Sequence, residues 1–113
     1  WSVKLRSDGA LWFRIGSEAT RTDVIEAGVY TANTPVHIVC TFGGGTAKIY
    51  VNGVERASQS GITAYTTANT TTMLRLGIPS VAATSNVYTG VLQKVNIYHQ
   101  VLTPAQVTTL YQQ

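Results

Sequence analysis

The stretch "AKIYVNGVERAS", residues 47–58, decides the fold. Ala47, Ile49 and Val51 alternate with Lys48 and Tyr50, Asn52-Gly53 interrupts, and a second extended run starts at Val54. Alternation at a period of two marks a strand with one buried face, because successive side chains point to opposite sides of the pleat. Asn and Gly both tolerate the positive φ angles that a type I′ turn imposes on its central residues. The stretch therefore predicts a hairpin with its corner at Asn52-Gly53, and turn chemistry accounts for Asn52 without a sugar or a metal beside it.

The same logic extends outward. "WSVKLR" places Trp1, Val3 and Leu5 on one face, and "ALWFRI" does so with Leu11, Phe13 and Ile15. A three-residue loop Ser7-Asp8-Gly9, with Gly9 left-handed, pairs Leu5 with Leu11 and Val3 with Phe13. A two-residue loop pairs Leu5 with Trp12 and mismatches the faces, so the register selects the longer one. In "VHIVCTF" the residues Val36, Ile38, Cys40 and Phe42 share a face, which makes Cys40 a buried apolar residue, and Gly43 to Gly45 form the corner into "TAKIYVN". This glycine run is not a phosphate loop, since no strand-to-helix switch and no Lys-Ser/Thr pair follows it. Later come "TTMLRLG", with Leu74 and Leu76 on one face, and "TGVLQKVNIY", with Val91, Val95 and Ile97 on one face.

About seven strands with turns at short intervals form an antiparallel β-sandwich of jelly-roll type. One helix ends the chain. In "VLTPAQVTTLY" Thr103 is an N-cap, Pro104 fits the first helical position, Gln106 completes a capping box and Leu102 staples onto Val107. Val107, Leu110 and Tyr111 then pack onto the sandwich.

A chain of 113 residues, 44% hydrophobic and 12% charged, makes one domain over residues 1–113, too apolar for disorder. No apolar run approaches the roughly 20 residues that cross a bilayer, and no secretory signal opens the chain, so membrane insertion is not expected. It begins at Trp1, which reads as a piece of a larger protein. The lone Cys40 forms no intrachain disulfide and builds no zinc site by itself. Few charges and many Thr, Ser and Asn suit an extracellular or virion surface.

"TPVHIVCTFGGGTAKIYVNGVE" with "YTGVLQKVNIYHQVLTPAQVTTLY" resembles the second half of a laminin-G-like domain of the concanavalin A-like lectin/glucanase superfamily. There a His-containing strand leads through a glycine corner into a "YVNG" hairpin, and the domain closes with a strand and a terminal helix. The resemblance implies a concanavalin A-like sandwich that binds sugars, binds proteins or serves as a spacer. Three departures stand out. Gly43-Gly44-Gly45 and Leu92-Gln93 replace acidic residues, so the family's calcium site is not expected and neither metal nor cofactor is assigned. Pro35 replaces a tryptophan before the histidine. The family's opening strands are lacking, which leaves residues 91–98 as an apolar edge that pairs with another segment or another copy of the chain.

Catalysis is not expected. Glucanases of the superfamily set Glu and Asp close together on one strand face. Here Asp23 and Glu26, three positions apart, point to opposite sides of a strand. No G-x-S-x-G elbow is present, and His37 and His99 read as structural or exposed.

Binding is expected instead. Sugars are held by an aromatic face and a rim of amides and hydroxyls, which loops on a rigid sandwich supply. Two loops have this content: Tyr30, Asn33 and Thr34, and Tyr65, Asn69 and Thr70. "TANT" occurs in both, at 31–34 and 67–70, as chance in a Thr-rich chain allows. The net charge is +3, and Lys4, Arg6, Arg14, Lys48, Arg75 and Lys94 fall opposite the apolar faces with no acid among them. Side by side they form a basic face for sulfated or uronic polysaccharide or an acidic protein. Nucleic acid is not expected, because Trp12 and Tyr50 are the only exposed aromatics among them. The sequence thus reads as a non-catalytic glycan-binding module, with a structural or oligomerisation module of a phage fibre, capsid decoration or cell-surface assembly as the alternative.

Overall fold

Every alternating run in the first half of the chain is extended in the computed structural model, which describes residues 1–16, 20–63, 74–77 and 87–113. β1 (Ser2–Leu5), β2 (Leu11–Ile15) and β3 (Thr22–Glu26) form one antiparallel sheet in that order. β4 (Ile38–Gly43), β5 (Thr46–Val51) and β6 (Val54–Gln59) form a second, and α1 (Pro104–Gln112) follows. The chain divides into two units. Trp1–Tyr65 with Tyr98–Gln113 holds both sheets and the helix; Thr66–Ile97 is the other. In the second unit the Tyr88 amide donates to the Gly77 carbonyl at 2.8 Å.

The corners follow the turn chemistry. Gly9 has φ of 81°, and β1 pairs with β2 as Leu5 opposite Leu11 and Val3 opposite Phe13, the register that keeps apolar residues on one face. Asn52 and Gly53 have φ of 50° and 82°. Asn52 does more than turn the chain: its side-chain oxygen accepts from the His37 amide at 3.0 Å, and its own amide donates to the His37 carbonyl at 2.8 Å. A β-carbon at Gly53 would lie 3.1 Å from the ring of Tyr111, so the close seat of α1 on this turn needs a residue without one.

The core lies between the sheets. Leu11, Phe13, Ile15 and Val24 meet Ala47, Ile49 and Val51, and Val29 and Ile62 close the ends. Cys40 packs against this cluster, and burial pushes its thiol up to about 12. A bulge between Ile49 and Tyr50 shifts the β5–β6 register from Ala57 to Glu55. Next to it Arg56 reaches the Glu26 carboxylate of β3 at 2.9 Å, tying one sheet to the other.

β5 is apolar on both faces. Tyr50 points away from the core and is 2% exposed, because Leu102 and Val107 cover it with Val39 and Leu110 beside them. The capping box forms as its sequence predicts: the Gln106 amide donates to Thr103 Oγ1 at 3.3 Å, and the Thr103 amide donates to Gln106 Oε1 at 2.8 Å. The Tyr111 ring sits 5.8 Å from that of His37, which precedes β4 rather than lying within a strand.

Residues 91–98, expected as a strand, join no ladder, and the described residues hold six strands. Of the expected strand "TTMLRLG" only Leu74 to Gly77 are described, and they join none; residues 71–73 lie outside the described residues. Val91 is 86% and Ile97 54% exposed instead of facing a core. Alternation sets which side of a strand would be apolar and does not supply the neighbour that a ladder needs.

The Asn52 account separates into two substitutions. Asn52→Gly keeps the positive φ and loses the bond to His37, and is expected to lower stability by about 1 kcal/mol in urea denaturation. Asn52→Ala loses the bond and strains the turn, so it is expected to cost more than Asn52→Gly.

Candidate functional site

The loop after β3 is built onto the first hairpin. The Val29 amide donates to the Gly9 carbonyl at 2.8 Å, and the Tyr30 hydroxyl donates to the Arg6 carbonyl. Tyr30 is half-buried, while Asn33 and Thr34 are exposed on a turn in which Asn33 has φ of 63° and the Thr34 amide donates to the Thr31 carbonyl at 3.2 Å. Tyr65, Asn69 and Thr70 lie outside the described residues.

The basic residues of the first unit are divided between its two sheets. Lys4 and Arg14 lie on the outer face of the first sheet, where Lys4 pairs across with Trp12 and Trp12 with Ile25. Arg6 joins them from the hairpin, its guanidinium carbon 4.9 Å over the centre of the Trp12 ring. Lys48 belongs to the second sheet, and Arg75 and Lys94 to the second unit.

Acids do share these positions, contrary to the sequence expectation. Asp23 stands opposite Arg14 and accepts from its Nε at 2.7 Å and its second nitrogen at 2.9 Å. The hydrogen bonds from Arg14 hold the Asp23 carboxyl below its ordinary range. Arg21 lies 3.9 Å from the same carboxylate, Asp8 lies 3.3 Å from Arg6, and Glu55 takes Lys48 at 2.8 Å. The physical reason is cross-strand: these acids come from neighbouring strands and loops, and alternation within one strand does not report them.

The structure joins Tyr30 to the Arg6 backbone, which the sequence treats as members of separate sites, and sets the Arg6 guanidinium over Trp12. Trp12 was legible as an aromatic on the polar parity of "ALWFRI", between Lys4 and Arg14. Tyr50, its supposed companion among exposed aromatics, is buried under α1, and burial pushes its phenol above the ordinary range. The outer face of the second sheet is therefore occupied by the helix, whereas on the first sheet Lys4 and Ile25 are exposed.

Asp23 and Glu26 take opposite faces, each held by an arginine, and do not converge on a substrate position. Among the described residues no three His, Cys, Asp or Glu side chains gather where they would hold a metal ion, and no helix is long and apolar enough to cross a membrane.

Residues 1–108 match the laminin-G-like family model of the Concanavalin A-like lectin/glucanases superfamily. The match takes in β1 to β3, so the likeness reaches further toward the N-terminus than the motifs that first indicate it. The crystal structure of an S-layer domain-containing protein (residues 221–444) from Clostridium thermocellum is similar, with a TM-score of 0.54 at 15% identity. The likeness covers 94% of this chain and 53% of that one, so the chain spans about half of the solved structure. At that identity it shows the fold alone. No curated protein matches the chain.

The Arg14–Asp23 pair has an acid signature. A carboxyl held below its ordinary value of 3.8 contributes stability that is complete above that value and is lost as pH falls through the lowered one. Melting temperature should therefore fall on acidification below about pH 4, and Asp23→Asn should flatten that decline while lowering the melting temperature near neutrality.

Proposed function

The chain belongs to the concanavalin A-like lectin/glucanases superfamily, and on that footing we propose that it is a non-catalytic module of an extracellular or virion surface that recognises glycans. The observation that carries this reading is the outer face of the first sheet. Arg6 lies over Trp12 with Lys4 beside them, and the Tyr30 hydroxyl ties the loop bearing Asn33 and Thr34 to the Arg6 backbone. Such a surface offers a guanidinium and an ammonium for carboxylate or sulfate groups. The exposed part of the aromatic surface and the amide and hydroxyl of the loop suit the C–H face of a sugar and its hydroxyls. Sulfated or uronic polysaccharide is the ligand class this favours.

Tyr30 has a structural share as well. Its half-burial and its bond to Arg6 mean that Tyr30→Ala removes ring and anchor together, whereas Tyr30→Phe keeps the ring and tests the anchoring bond alone. Dextran sulfate and dextran share one sugar backbone and differ in charge, so they separate the charged contribution from the rest. Titration calorimetry is expected to show dextran sulfate bound more tightly than dextran, with affinity falling as salt rises, and Arg6→Ala weakening it about tenfold, or about 1.4 kcal/mol. Equal binding of both polymers, or an Arg6→Ala chain that binds like the wild type, would contradict this reading.

A second reading, a structural or oligomerisation module, draws on one observation: Val91, Leu92, Val95 and Ile97 are all exposed. Apolar chain outside any ladder is available for pairing with a second copy or with another segment. Light scattering at micromolar concentration tests it. Under this reading the chain is oligomeric and Asn96→Pro, which removes a backbone donor, returns it to monomers.

A further inference from the structure

A groove of about 350 Å³ opens along α1 where the chain runs into the helix. Its apolar lining is Leu102, Ala105 and Leu110, and its other lining residues are Tyr98, Gln100, Gln106 and Thr109. Two of its apolar residues are held in place, because Leu102 is buried with Tyr50 and Val107 and Leu110 packs beside them. The volume is at the small end of ligand sites, the scale of about one or two pyranose rings.

The helix cap orients Gln106. Gln106 Oε1 accepts from the Thr103 amide at 2.8 Å and lies 3.1 Å from the Thr103 hydroxyl, which fixes the plane of its amide. The two hydrogens on Gln106 Nε2 are then available, with no partner among the described residues. The Thr109 hydroxyl donates to the Ala105 carbonyl at 3.0 Å, which leaves its oxygen as an acceptor. Gln100 is exposed and brings both a donor and an acceptor, and Tyr98, 45% exposed, adds an aromatic ring. Among the described residues no carboxylate and no cation lines the groove, although the chain as a whole carries a net charge of +3.

We propose that this groove is a second binding site, distinct from the Trp12 face, that takes an uncharged pyranose unit of a glycan. A pyranose has an apolar C–H surface, which Leu102, Ala105, Leu110 and the Tyr98 ring receive. Its hydroxyls both donate and accept, which matches the Gln106 donors, the Thr109 acceptor and the amide of Gln100. The absence of charge selects against the sulfated or uronic units that suit Arg6 and Lys4, since burying an anion here would leave it unpaired. The inference rests on reading the chain as a glycan binder, and adds where a neutral sugar is held.

The test uses the whole chain and three sugars, maltose, cellobiose and dextran sulfate, followed by amide NMR. Maltose or cellobiose should shift the Gln106 and Gln100 side-chain amides and the Thr109 backbone amide, and leave residues 4–14 unmoved. Gln106→Glu keeps the capping box, because glutamate at this helix position accepts from the Thr103 amide as well, and removes the two donors. It should weaken neutral-sugar binding at least about tenfold with no loss of melting temperature. Tyr98→Ala, outside the packed clusters, should weaken it as well. Neutral-sugar shifts that map to residues 4–34, or binding that both variants leave intact, would overturn the groove and leave glycan recognition standing. A chain that takes dextran sulfate and neither disaccharide would also overturn the groove alone, and a chain that takes none of the three would overturn both readings.

Discussion

The second sheet depends on covering β5 twice. Ala47, Ile49 and Val51 on one side of this strand are buried in the core, and Tyr50 on the other is nearly inaccessible. A tyrosine left on an open sheet would expose most of its ring, and its burial stabilises the fold by about 1.5–3 kcal/mol. The chain meets the requirement by bringing back its terminal segment: Leu102 and Val107 close over the ring, and Tyr111 settles on Gly53. The capping box at Thr103 starts the helix where those two side chains reach Tyr50. The Asn52-Gly53 turn supplies a surface flat enough for the last turn of the helix to rest on.

From this follows an asymmetry that shapes function. One outer face of the sandwich is occupied by α1, so its polar parity is partly converted into core. The other displays Trp12 beneath Arg6, beside Lys4, with Arg14 held back by Asp23. Ion pairs also lower the effective charge: Arg14 and Lys48 each have a close carboxylate, and Arg6 has Asp8 at 3.3 Å. What distinguishes the first face is an aromatic and a guanidinium stacked together, with a loop anchored to them, rather than a continuous field of positive potential.

How much of this was legible depended on how far along the chain the determining contact lies. The Gly9 loop, the Asn52-Gly53 corner and the Thr103–Gln106 box are set by residues within a few positions of one another, and each forms as read. Leu5 opposite Leu11 follows from the loop length. The burial of Tyr50 was not legible, because its cover arrives from residues 102–110; the clue was an amphipathic terminal helix that needed an apolar seat. Asp23 was missed as the partner of Arg14 because the pairing depends on the register of β3 against β2. Residues 91–98 misled because alternation reports which side of a strand would be apolar and is silent on whether a neighbour exists to pair with it. The site residues fared similarly. Tyr30 and Arg6 were each picked out by type, while their adjacency comes from a hydrogen bond between positions 24 residues apart.

Tyr50 against Val107 is the contact on which this arrangement turns, and a double-mutant cycle measures it directly. Urea denaturation of the wild type, Tyr50→Ala, Val107→Ala and the double variant gives the interaction energy between the two side chains. Packing of α1 on the outer face of β5 predicts a coupling of about 0.5–3 kcal/mol, with the double variant losing less than the sum of the single ones. Strict additivity, with each single substitution destabilising the chain on its own, would mean that the helix does not sit on Tyr50 and would contradict the closure of that face.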